Sequence, residues 1–181
     1  SSVMEWNRKC LHAIAELRTP LLDTLMQGVT ELGGETLFML FMLVVFWCVD
    51  KNKGYFLMLL CFTGTAVNQM LKITFCIPRP WVLDPSFEIV ESARAGATGF
   101  SFPSGHTAAS FAAVFALWAS GSPLWKPAAA LASEIAFSRL YLYVHWPTDV
   151  LGGIVVGAAV GVAGARMAEA VRKRVERKDQ G

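Results

Sequence analysis

Five apolar runs decide what this chain can fold into. They are Glu35 to Val49, Tyr55 to about Phe75, Gly105 to Ser120, Leu124 to about Val144, and Val150 to about Ala170. A hydrocarbon layer offers no water to peptide groups, so a segment inside it must satisfy its own N–H and C=O groups, and a helix does so. The chain of 181 residues is 54% hydrophobic and 17% charged, and its mean hydropathy is +0.45. A soluble domain of this length seldom combines so large an apolar excess with so few charges. The expected fold class is all-α: a polytopic transmembrane helical bundle of five to six spans, forming one membrane-embedded domain over residues 1–181. The last run carries Gly152, Gly153, Gly157, Gly161 and Gly164, as helices that pack closely in lipid do.

The ends of the chain read differently. Residues 4–18 set Glu5, Arg8, Lys9, His12, Glu16 and Arg18 between Trp6, Leu11, Ile14 and Leu17. That spacing predicts an amphipathic helix lying at the membrane interface. Pro20 ends it, and residues 21–32 are too few to cross a bilayer alone. Residues 1–32 are therefore expected as N-terminal interfacial helices, and residues 172–181 as a basic cytoplasmic tail. If the five runs alternate, Lys51, Lys53, Lys126 and the tail share one side, which the positive-inside rule makes cytoplasmic. A net charge of +2 with no basic-aromatic patch gives no reason to expect nucleic acid as a partner. Cys10, Cys48, Cys61 and Cys76 form no CxxC pair and read as free thiols.

The same alternation carries three polar clusters to the outer side. The first is Lys72 to Pro80, where the second run ends. The second is Pro103-Ser104-Gly105-His106, where the third begins. The third is Ser138 to Asp149, across the end of the fourth. Charged groups at the edge of a hydrocarbon layer are costly and mark a site by default. Lys72, Arg79 and Arg139 are three fixed cations, and the arginine fork matches phosphate oxygens. Ser104 is a natural N-cap, and Gly105 lets an oxyanion approach the N–H groups of the first turn. His145 and His106 offer an imidazole nucleophile and an imidazole acid. With Pro147 in the first turn of the next helix, Asp149 can turn back towards the His145 ring and hold one N–H, as the aspartate of a triad does.

The clusters together read K-x6-RP, PSGH and SR-x5-H-x3-D. In this the chain resembles the type 2 phosphatidic acid phosphatase (PAP2) superfamily, over residues 54 to about 165. The resemblance implies a helical bundle shared with vanadium haloperoxidases. It implies a phosphatase that needs no metal or other cofactor and works through a phosphohistidine. It makes His145 the nucleophile, Asp149 its partner, and His106 the acid for the leaving group and then the base for water. Lys72, Arg79, Ser104, Gly105 and Arg139 would bind phosphate. The expected substrate is a lipid phosphate or diphosphate: undecaprenyl diphosphate, phosphatidylglycerol phosphate or phosphatidic acid. The expected setting is a bacterial plasma membrane, with the active site on the extracytoplasmic face and the C-terminus cytoplasmic.

Other readings of the same residues stand beside this one. A vanadate-dependent peroxidase can use such an anion pocket, and a non-catalytic protein can bind or move lipid phosphates with it. Tyr141, Tyr143 and Trp146 read as interfacial packing around the site. Glu134, deep in the fourth run, is expected to form a salt bridge with a neighbouring helix, with a proton-handling or substrate-related role as the alternative. His12 reads as a surface histidine. Glu88, Glu91 and Arg94 read as a solvated cover that could gate the pocket.

Overall fold

The computed structural model describes residues 2–86 and 89–181. The described residues are helical or irregular, with no strand. The helices are α1 (Ser2–Ala15), α2 (Pro20–Leu32), α3 (Glu35–Cys48), α4 (Lys51–Phe75), α5 (Pro80–Leu83), α6 (Glu91–Arg94), α7 (Gly105–Ala119), α8 (Trp125–Tyr141) and α9 (Pro147–Gln180). Glu88, expected in the outer cover, lies outside the described residues.

Local chemistry sets the helix ends. Thr19 caps α2 by accepting from the Leu22 N–H at 3.2 Å, with Pro20 in the first turn. Asp50 caps α4 by accepting from the Asn52 and Lys53 N–H groups at 2.8 and 3.4 Å. At the other end of α4, Cys76 turns left-handed at φ 49° and lets the chain leave towards Arg79. Helix α9 does not stop near Ala170. Arg172 pairs with Glu169 and Glu176 at 3.0 and 2.8 Å, and such pairs carry the helix through the basic tail. Its 34 residues span about 50 Å at 1.5 Å per residue.

The helical stretches Lys51–Leu83 and Pro147–Gln180 are long and apolar enough to cross a membrane. Helices α2 and α3 pass the same test together, bent by 41° at Gly33-Gly34. The short segment that could not cross alone is thus continuous with the first apolar run. Helix α7, with 15 residues, is apolar but shorter. The outer surface is apolar: Trp47, Leu59, Phe62, Met70, Ile73 and Val155 are all exposed. A soluble protein rarely presents so much contiguous apolar surface.

Helix α7 is packed most extensively against α9, along Gly153, Gly157 and Gly161. A Cβ on Gly153 would stand 2.8 Å from the Ser104 carbonyl oxygen, and one on Gly157 2.7 Å from that of Ala108. The glycines therefore let two backbones touch, and this contact sets the height of Ser104 against the first turn of α9. Residues 1–32 do not stand apart from the bundle. Asn7 and Leu11 of α1 and Thr30 of α2 are buried, and the two helices pack on α8, with α1 also against α9.

Gly157→Val should be destabilising by about 1–3 kcal/mol, the usual cost of overpacking, whereas Gly64→Ala should be neutral, because a Cβ there meets Val160 at an ordinary 3.6 Å. Thermal unfolding of the detergent-solubilised variants would measure both.

Candidate active site

The turn after α8 builds the centre of the site. Leu142, Tyr143 and Val144 return N–H groups to the carbonyls of Ser138, Leu140 and Arg139, closing the end of the helix. Tyr143 sits at φ 68°, an uncommon conformation for a bulky side chain. It folds the chain back over the helix end and presents His145 inwards. Trp146 then caps α9, with Pro147 in its first turn.

His145 is buried between two groups. Its Nδ1 lies 3.3 Å from Asp149 Oδ2, and its Nε2 lies 3.2 Å from Arg79 Nη1. An arginine can only donate and a carboxylate only accepts. Nδ1 therefore carries the hydrogen and Nε2 the lone pair. Burial lowers the His145 pKa well below its ordinary value, and the fields of Arg139, Arg79, Lys72 and His106 lower it further. With its hydrogen on Nδ1 and its lone pair on Nε2, the ring is the neutral imidazole. Arg79 of the first cluster touches His145 of the third, and Ser104 of the second bonds to the Asp149 carbonyl of the third, so the three sequence clusters do converge.

Asp149 is buried, and its Oδ2 accepts from Ser101 Oγ, from the Trp146 N–H at 2.7 Å and from His145. Its backbone carbonyl accepts the Ser104 N–H at 3.0 Å, which ties the start of α9 to the cap of α7. Ser104 in turn caps α7, accepting from the Thr107 N–H at 3.4 Å, and its Oγ lies 2.9 Å from Thr107 Oγ1. Gly105 opens the first turn, and His106 follows it, half-buried beside Gly33. Asn68 of α4 donates to the Pro103 carbonyl at 3.4 Å, against the cis Phe102-Pro103 peptide.

The three cations differ in how they are held. Arg79 is buried and donates to the carbonyls of Gly99, Val144 and Thr98 at 3.3, 3.0 and 2.9 Å, as well as to His145. Lys72 Nζ donates to the Phe100 carbonyl at 2.8 Å. Arg139 is buried and donates from Nη1 to Thr30 Oγ1 at 3.0 Å, while its Nε has no partner among the described residues. Ser101, Asn68 and Thr30 were not singled out by the sequence reading. A buried small polar residue has no spacing signal of its own.

Two expectations need correction. Tyr141, Tyr143 and Trp146 are core residues, fully buried. Helices α1 and α2 cover them: Tyr141 Oη donates to Asp23 at 2.7 Å, and the Arg18 guanidinium stands 5.9 and 5.7 Å from the Tyr141 and Tyr143 rings. Trp146 Nε1 donates to the Pro78 carbonyl at 3.0 Å. Glu134 is exposed and has no ion pair among the described residues, because its face of α8 is turned away from the neighbouring helices. In the outer loop, Glu91 and Arg94 are exposed, as expected of a solvated cover. Arg94 pairs with Glu91 at 2.9 Å and lies 4.8 Å over the Trp81 ring.

The profile of the PAP2 superfamily matches residues 53–173, and the chain belongs to that superfamily. Among curated relatives, undecaprenyl-diphosphatase BcrC of Bacillus subtilis is 25% identical, over 93% of this chain and 86% of its own. Phosphatidylglycerophosphatase B of Bacillus subtilis is 32% identical, over 78% of this chain and 72% of its own. The crystal structure of Aquifex aeolicus LpxE superimposes with a TM-score of 0.74 at 27% identity, over 89% of this chain and 95% of that one. The crystal structure of a transmembrane PAP2-type phosphatidylglycerolphosphate phosphatase from Bacillus subtilis does so at 0.80 and 24% identity, covering 94% and 88%, and supports the fold. The chain is an integral-membrane hydrolase of the phosphatase class.

Ser101→Ala removes one of three donors from a buried carboxylate oxygen. The expected cost is about 2 kcal/mol, the scale of a hydrogen bond to a charged group, read as a lowered midpoint in thermal unfolding. An unchanged midpoint would mean that Asp149 does not depend on Ser101.

Proposed function

We propose that this protein hydrolyses a lipid phosphomonoester or diphosphate through a phosphohistidine on His145. The observation that carries this is the buried imidazole, oriented by Asp149 at Nδ1 and turned with its Nε2 lone pair towards a cluster of cations. A phosphate oxygen arriving at Arg79 Nη1 takes over that donor and frees the lone pair. Nε2 attacks phosphorus, a P–N bond forms, and the P–O bond to the lipid breaks. His106 gives its proton to the departing oxygen. The departing group is the lipid alcohol of a monoester or the lipid monophosphate of a diphosphate; water then attacks phosphorus, His106 accepts a proton from it, and the P–N bond breaks to release inorganic phosphate in either case.

Lys72, Arg79 and Arg139, with the Ser104-Gly105 start of α7, stabilise the negative charge of the transferring group. Three cations supply this without a metal. The relatives act, by name, on undecaprenyl diphosphate and phosphatidylglycerophosphate, and a lipid of that class is the substrate proposed here. The apolar outer surface supports lateral entry of the lipid tail from the bilayer. With five crossings, the site faces the extracytoplasmic side of the plasma membrane and the basic end of α9 faces the cytoplasm.

The test is phosphate release from a panel of these lipids by purified protein in excess chelator. Turnover should persist and orthovanadate should inhibit it. His145→Asn should lower kcat by at least about 10³-fold, as loss of a nucleophile does, with the fold intact by circular dichroism. Activity lost with chelator and restored by Mg²⁺ would sink the mechanism.

A further inference from the structure

We infer that Thr30 is a positioning residue for phosphate binding, acting through Arg139. This rests on the phosphatase reading above. Thr30 lies on α2, outside residues 53–173 matched by the family profile. It is buried, and its hydroxyl accepts from Arg139 Nη1 at 3.0 Å.

The chemistry of the guanidinium gives this contact a consequence. Its five N–H groups lie in one plane, and the edge shared by Nε and Nη2 matches two oxygens of an oxyanion. Nη1 lies off that edge. Thr30 therefore holds the arginine by the nitrogen an anion does not need. Arg139 Nε, which is on the edge, is buried without a partner among the described residues, which leaves a desolvated donor for a ligand to satisfy. The holder is also neutral. A carboxylate at this position would orient the arginine and cancel its charge, whereas a hydroxyl orients it and leaves the charge for phosphate. Glu31, the next residue, is exposed and accepts from Gln27 at 3.1 Å. It does not replace Thr30 as the direct contact.

The rest of the N-terminal pair holds α2 in place. Arg18 donates from Nε and Nη2 to the Tyr141 carbonyl at 3.2 and 2.9 Å. Asn7 exchanges two hydrogen bonds with Thr148, to Oγ1 at 3.0 Å and from the backbone N–H at 3.2 Å. Helices α1 and α2 thus grip the stretch from Arg139 to Asp149 at both ends, and Thr30 is the contact that reaches a phosphate-binding group.

The experiment compares Thr30→Val, Thr30→Ala and Thr30→Ser in detergent, by kcat/KM on a lipid phosphate and by orthovanadate inhibition in chelator. Valine keeps the volume and removes the acceptor. Vanadate affinity and kcat/KM should fall together by about tenfold in the valine and alanine variants, and Thr30→Ser should stay within about twofold of the unaltered protein. In an Arg139→Gln background, Thr30→Val should have little further effect, because residues that act as a unit are non-additive. If Thr30→Val does not fold, the alanine and serine pair decides by the same criteria. Equal vanadate affinity in the alanine and serine variants would overturn the proposal, as would an undiminished valine effect without Arg139. If the unaltered protein neither binds vanadate nor releases phosphate in chelator, the phosphatase reading itself fails. A working parent with indifferent Thr30 variants removes only the positioning role.

Discussion

The site depends on one buried carboxylate oxygen. Asp149 Oδ2 accepts from Ser101, from the Trp146 backbone and from His145. Three donors on a single oxygen offset part of the cost of burying this carboxylate, whose Oδ1 has no hydrogen-bond partner among the described residues. The same bonds fix the plane of the imidazole, the cap of α9 and the segment that leads into α7. The Asp149 carbonyl extends the connection to Ser104. Moving Asp149 would therefore shift the His145 ring and the α7 start together.

The cations around this oxygen are held by carbonyls and hydroxyls. Arg79 binds three backbone carbonyls, Lys72 one, and Arg139 the Thr30 hydroxyl. Neutral acceptors hold these groups with no carboxylate in direct contact among the described residues. A pocket built this way attracts a dianion more strongly than one already paired with carboxylates. Arg79 has a second task, because its carbonyl contacts join the outer loop to the turn after α8. The cluster is both an electrostatic trap and a brace.

The parts of the site legible in the sequence were those with a spacing signal. Lys72, Arg79, His106, Arg139, His145 and Asp149 fall at helix boundaries, where a charge interrupts an apolar run. Pro147 marked the start of α9, and Ser104 the start of α7. Thr30, Ser101 and Asn68 carry no such mark, since a small polar residue looks alike in a loop, a cap or a core. The tyrosines misled for a related reason. Aromatic residues beside a span end suit a membrane interface, and only the α1–α2 cover makes them core.

Composition and pattern alone determined that the chain is helical and membrane-embedded, because peptide groups in hydrocarbon must bond within their own segment. They also determined the order and chemistry of the three clusters. Tertiary structure decided which groups touch. The Gly153, Gly157 and Gly161 seam sets how far α7 slides along α9, and so where Ser104 meets Asp149. It also decided that α2 reaches Arg139 across a separation of 109 residues. Contacts between distant segments follow from packing distances between helices, and local residue order does not encode them.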